Sequence, residues 1–347
     1  MRRMSRDTLK WLMLLALACA AVPGGARAAE MRAMPEHLRD TGLYAHGLKL
    51  HPDALPFSPQ YPLWSDGASK RRWIYLPTGT SVDATRPDAW NFPRGTKLWK
   101  EFSHGRALET RYIERGADGE WRYASYIWNA EGTDAVLAPA AGVRDMPAPG
   151  APGGRYSIPA ENDCRACHEG APVPVLGFSA LQLSPDRDPL ALHADAASVP
   201  GTDLRSLVAR GVLRNLPADL LVRAPRIEAA NPAERAALGY LHGNCGHCHN
   251  DDGPLAALDM TLAQRVGSQS ASGAVLRSIV GVRSQARAAE LPTDAARIAP
   301  GEFGASAIAV RMRSRNPLQQ MPPLGTEVAD AQAMALIARW IEGLPVH

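Results

Sequence analysis

The chain has 347 residues, 46% of them hydrophobic and 21% charged. That is enough for about two domains and too apolar for a disordered tail. A formal charge of +3, from 38 basic against 35 acidic residues, excludes the large basic surplus that a nucleic-acid partner requires.

The first element is a leader. Arg2, Arg3, Arg6 and Lys10 precede an apolar run over residues 11–22, and Ala26-Arg27-Ala28 supplies a small-residue cleavage pattern. Together these describe a secretory signal peptide over residues 1–28. The run is short for a bilayer span and no later run is long enough, so the expectation is a periplasmic or secreted chain without stable membrane insertion after cleavage. Ala16-Leu17-Ala18 ahead of Cys19 is a poor lipidation signal. Cleavage removes five basic residues and one acidic residue, taking the charge from +3 to −1.

Residues 29–140 read as a β-rich N-terminal domain. Trp64, Trp73, Trp90, Trp99, Trp121 and Trp128 all fall here, with Tyr61, Tyr75, Tyr112, Tyr123 and Tyr126. Such aromatic density favours strands, expected at 70–76, 97–103, 108–115 and 121–129. Gly116-Ala117-Asp118-Gly119 makes a hairpin loop between the last two. Leu108, Thr110 and Tyr112 would face one way, and Arg111 and Arg115 the other. An antiparallel sandwich or small barrel is the expected form. Its aromatics read as core rather than a sugar platform, and Asp66, Asp83 and Asp88 as turn residues.

Residues 141–155, rich in Pro, Gly and Ala, read as a linker. Pro185, Pro189 and Pro200 break the chain again, and from Thr202 or Asp203 a capped helix runs to Leu213. Asn231-Pro232-Ala233-Glu234 starts another helix: Asn caps, Pro fits the first turn, and Glu follows three residues after the cap. A last helix is expected over 328–343, with Met334, Ile337, Ala338 and Ile341 on one face. The fold class is therefore α+β, an antiparallel β domain followed by an α-helical region.

Two segments carry chemistry, Cys164-Arg165-Ala166-Cys167-His168 and Cys245-Gly246-His247-Cys248-His249. Each is C-x-x-C-H, the pattern of covalent haem attachment. Two thiols so spaced on a helical turn reach the two vinyl groups of one porphyrin, and the next histidine offers its imidazole to the iron. Two c-type haems are thus expected. The 77 residues between Cys167 and Cys245 exceed zinc-ribbon spacing, and a redox dithiol needs no trailing histidine.

The stretch 231–344 resembles class I cytochromes c: a helix leading into CxxCH, then Met321-Pro322-Pro323 on a late loop, then a C-terminal helix. The resemblance implies that His249 and Met321 are the axial ligands of the second haem and that Trp340 packs on the first helix near Gly239. Residues 156–230 form the first haem segment and 231–347 the class I-like domain. The chain as a whole also resembles secreted bacterial dihaem cytochromes with an N-terminal tryptophan-rich β domain. No methionine lies between His168 and Cys245, so the first haem's distal ligand is open: His193 and His242 are the candidates, with Met146 and Met260 behind them, and a five-coordinate iron is the alternative. His247 reads as a spacer. The leading expectation is electron transfer with a redox partner protein. The alternative is a haem oxidoreductase acting on a small-molecule substrate at an open first haem, in the manner of a peroxidase or dehydrogenase.

Overall fold

The computed structural model describes residues 33–195, 200–268 and 270–346. The expected leader, with Cys19, lies outside them. Twelve strands form: β1 (Tyr44–His46), β2 (Lys49–Leu50), β3 (Leu55–Pro56), β4 (Ser69–Tyr75), β5 (Val82–Asp83), β6 (Lys97–His104), β7 (Arg106–Arg115), β8 (Trp121–Trp128), β9 (Ala135–Leu137), β10 (Val143–Pro147), β11 (Arg155–Ile158) and β12 (Leu213–Arg214). The seven helices are α1 (Glu161–His168), α2 (Leu204–Ala209), α3 (Asp219–Val222), α4 (Pro232–Asn244), α5 (Ala271–Ile279), α6 (Ala307–Arg313) and α7 (Ala331–Glu342).

Six strands make one antiparallel sheet in the order β3-β4-β6-β7-β8-β9. This sheet is open rather than the expected sandwich or barrel. The other described strands pair as three two-stranded sheets, β1-β2, β10-β11 and β5-β12. Trp73, Trp99, Tyr112 and Ala124 lie in register across β4, β6, β7 and β8. They pack with Tyr126 and Trp128 against Leu38 and Leu43 of the N-terminal segment. Buried Trp and Tyr usually find a partner for the polar tip, and here Trp99 Nε1 donates to Thr41 Oγ1 at 2.9 Å and Trp128 Nε1 to Thr110 Oγ1 at 2.9 Å. Leu108, expected beside Thr110 and Tyr112, packs in a separate cluster with Phe102. On the opposite face Ile74, Leu98, Ile113 and Tyr123 pack with Phe57, Phe178 and Leu204.

Both sheet edges are short. β3 has two residues, one of them Pro56. β9 has three, and Leu137 N–H donates to Glu36 O at 2.8 Å beside a bridge between His37 and Val136.

The expected linker is not one. Residues 143–147 pair with 155–158 as an antiparallel hairpin, and Ala148 and Ala151 are buried with Phe102 and Ile158. The small side chains that suggested a linker fill narrow space: a Cβ on Gly150 would lie 2.5 Å from His104 O.

In the helical part, α4 begins as expected, with Asn231 Oδ1 accepting from Glu234 N at 3.0 Å. α7 is capped by Asp330, whose Oδ1 accepts from Ala333 N at 3.0 Å. Leu241 of α4 packs with Ile337 and Ile341 of α7, and Trp340 Nε1 donates to Glu234 Oε2 at 3.1 Å. Gly239, expected beside Trp340, instead receives the Tyr61 ring: an added Cβ would meet Tyr61 Cε1 at 2.1 Å. Tyr61 precedes the sheet in sequence yet belongs to the helical core. Residues 34–347 accordingly form one compact unit.

Gly239→Val should lower unfolding stability by roughly 2 kcal/mol or more, because the ring cannot retreat from a packed core. Denaturant titration checks it, and an unchanged midpoint would show that Tyr61 is free to move.

Candidate cofactor site

α1 forms because Glu161, Arg165 and Glu169 pair at i,i+4 spacing, with N···O distances of 2.9 and 2.8 Å. Asp163 also accepts from Ala160 N at 3.0 Å at the helix start. The helix lies on the second sheet face, where Arg165 sits over the Tyr123 ring at 5.4 Å from its centroid. Cys164, Cys167 and His168 line a cavity of about 350 Å³ between the helix and the sheet. His168 Nδ1 donates to the Pro174 carbonyl at 2.6 Å, which leaves Nε2 as the free donor atom of that imidazole. Burial pushes His168 down to about 4, so the ring is neutral, as an iron ligand must be.

Cys245, Cys248 and His249 follow α4 and line a second cavity of about 310 Å³ with Met260, Met312 and Met321. His249 is 9% exposed, and burial is the main cause of its lowered pKa. Its Nδ1 has no hydrogen-bond partner among the described residues. Met321 is pinned by its own N–H, which donates to Arg311 O at 2.9 Å. The loop beyond it is held from the β part: Asp66 Oδ1 accepts from Glu327 N at 2.9 Å and from Val328 N at 3.0 Å. Met312, on α6, is buried in the helical core cluster.

The two CxxCH segments touch. Asn250 Nδ2 donates to Gly170 O at 2.8 Å, Gly246 O at 3.1 Å and His247 O at 3.1 Å. Cys248 Sγ lies 4.0 Å from Ala166 O. A Cβ on Gly170 would come within 3.0 Å of His247 O, so glycine permits the approach.

The remaining sequence candidates separate clearly. His193 lines neither cavity, and its Nε2 donates to Asp330 Oδ2 at 2.7 Å. His242 does line the first cavity, but its Nδ1 accepts from Gln264 N at 3.1 Å. A neutral ring so held carries its proton on Nε2 and has no lone pair left for iron. Met146 lies on β10, away from both cavities, and Met260 lines only the second. His247, set aside as a spacer, lines both cavities and makes no side-chain hydrogen bond among the described residues. Asp66 and Asp88, read as turn residues, reach across the molecule: Asp88 Oδ1 accepts from Val266 N at 2.8 Å. No sequence signal marks either contact, because an aspartate in a turn is already explained locally.

No protein-family model, curated protein or solved structure matches the chain.

The residues present fit haem. Among the described residues no three His, Cys, Asp or Glu side chains converge to hold a bare metal ion. Burial pushes the Cys164 and Cys167 thiols up to about 11 and the Cys245 thiol up to about 12, the reverse of an activated redox dithiol. Each pair instead sits at the wall of a cavity that its following histidine also lines, and the second cavity adds the thioethers of Met260, Met312 and Met321.

Asp66→Ala should release the loop after Met321. Amide hydrogen exchange at Glu327 and Val328 is expected to accelerate about tenfold or more, since hydrogen bonds to a charged group contribute about 1.5–3 kcal/mol. Unchanged protection would show that Asp66 does not hold the loop.

Proposed function

We propose that this chain is a dihaem c-type cytochrome that exchanges electrons with a redox partner protein outside the cytoplasm. The observation that carries the reading is the placement of each CxxCH segment at a cavity, with His168 lining the first, His249 the second, and His247 and Cys248 shared between them. Haem would supply a one-electron ferric–ferrous couple. The chain supplies thioether anchors at Cys164 and Cys167 and at Cys245 and Cys248, and ligands at His168 and His249. The Pro174 carbonyl orients His168. Met321 would complete the second site from a loop fixed at both ends, by Arg311 before it and Asp66 after it. A His/Met ligand set raises the potential and leaves no open position, which suits relay rather than oxygen chemistry. Contact between Cys248 and Ala166 gives the two sites a short path.

A second reading is a haem oxidoreductase acting on a small molecule at the first site. It is favoured by the absence of methionine from that cavity's lining and by the engagement of His193 and His242 elsewhere.

The exported protein should carry two covalent haems by mass spectrometry, and Cys245→Ala with Cys248→Ala should remove one. Retention of both haems in that variant would break the assignment. Met321→Ala should keep the haem but lower one midpoint potential, whereas an unchanged potential would point to another ligand. Two low-spin signals by electron paramagnetic resonance favour relay. A high-spin centre that binds cyanide favours the oxidoreductase.

A further inference from the structure

The second sheet face carries a row of three basic side chains. Arg72 of β4 stands opposite Lys100 of β6, and Lys100 opposite Arg111 of β7. Like charges directly opposite destabilise a sheet. All three nevertheless line the first cavity, the one that holds Cys164, Cys167 and His168.

Arg72 keeps only a loose ion pair, whereas Arg111 is bound tightly by a carboxylate. Arg111 Nε and Nη2 donate to Glu109 at 2.8 and 3.1 Å, and Glu109, fully buried, also accepts from Ser125 Oγ at 2.9 Å and Tyr156 OH at 2.7 Å. That carboxylate has nothing left for its neighbours. Arg72 is 7% exposed, and its Nη1 has no hydrogen-bond partner among the described residues. Its nearest carboxylate, Asp195, lies 3.5 Å away and also accepts from Ser58. Lys100 Nζ sits 4.7 Å from the centre of the Phe102 ring and pairs with no carboxylate among the described residues. Lys70, two residues before Arg72 on the same face, adds a further basic group, which burial and Arg72 push down to about 8. Buried charges without partners are costly and persist where an anion offsets them.

We infer that Arg72 and Lys100 form a receptor for carboxylate groups in the first cavity, with the Arg111–Glu109 pair as its fixed wall. Two sources share that chemistry: the propionates of a haem carried by Cys164 and Cys167, or a small dicarboxylate entering from solution. The first source rests on the cytochrome reading above, and the second does not.

The test uses the exported full-length protein, its haem count fixed by intact mass, alongside Lys100→Met, Lys100→Arg and Arg72→Met. Midpoint potentials are measured, and sodium malonate is titrated by calorimetry against sodium chloride at matched ionic strength. If propionates occupy the receptor, Lys100→Met and Arg72→Met lower one midpoint potential, Lys100→Arg restores it, and malonate does not bind. If a soluble anion occupies it, malonate binds saturably to the wild type and at least tenfold more weakly to both Met variants. Unshifted potentials together with no malonate binding, in a protein with two haems, overturn the receptor. A haem count below two in the wild type overturns the cytochrome reading instead, and malonate binding alone then decides the receptor.

Discussion

The side-chain amide of Asn250 holds the architecture of the site together. It is buried at 2% exposure and spends its donors on three carbonyls, two from its own CxxCH segment and one from the other. One residue thereby fixes the separation of two segments 80 positions apart in sequence. An apolar side chain at this place would leave Gly170 O, Gly246 O and His247 O competing for donors in a dry interior, a cost that packing alone does not offset. The glycines around it follow from the same constraint. Gly170 and Gly253 approach so closely that a Cβ on Gly253 would meet Gly170 O at 2.4 Å.

The sheet does two different jobs with its two faces. One face is an aromatic core, capped by residues that precede the sheet and with the polar tips of Trp99, Tyr126 and Trp128 hydrogen-bonded. The other changes character along its length, from the Ile74–Leu98–Ile113–Tyr123 row to the row of basic side chains. A sheet buried on both sides loses the simple in-out alternation of a solvated one. That is why Glu109 and Thr110, adjacent in β7, are both fully buried. The polar residues on the second face therefore count as part of the first cavity and not as surface.

What could be read from the sequence was whatever is encoded locally. The CxxCH spacing is contiguous because the chemistry requires it. The strands β4, β6, β7 and β8 begin or end within two residues of expectation, since their aromatics and the Gly116–Gly119 turn are neighbours in sequence. Asn231 and Glu234 announced α4 for the same reason. Contacts made over long separations were hidden. Tyr61 in the groove at Gly239, Asp66 on the Met321 loop and Asp88 on Val266 have nothing beside them in the chain that points to a partner. His193 was a plausible ligand by residue type alone, and only its bond to Asp330 shows that it serves the start of α7. The Pro-Gly-Ala stretch misled for a further reason, since small residues mark tight packing as often as they mark a linker.

The blunted edges of the six-stranded sheet have a consequence for how anything docks. Strand addition needs a free row of main-chain donors and acceptors along an edge. β3 offers two residues and a proline that has no N–H, and the outer side of β9 is already engaged at Val136 and Leu137 by the segment before it. Those two edge strands therefore offer little to strand addition. A partner that met this sheet at β3 or β9 would meet side chains more than free main-chain groups, an arrangement that favours brief encounters and rapid release over a long-lived backbone zipper.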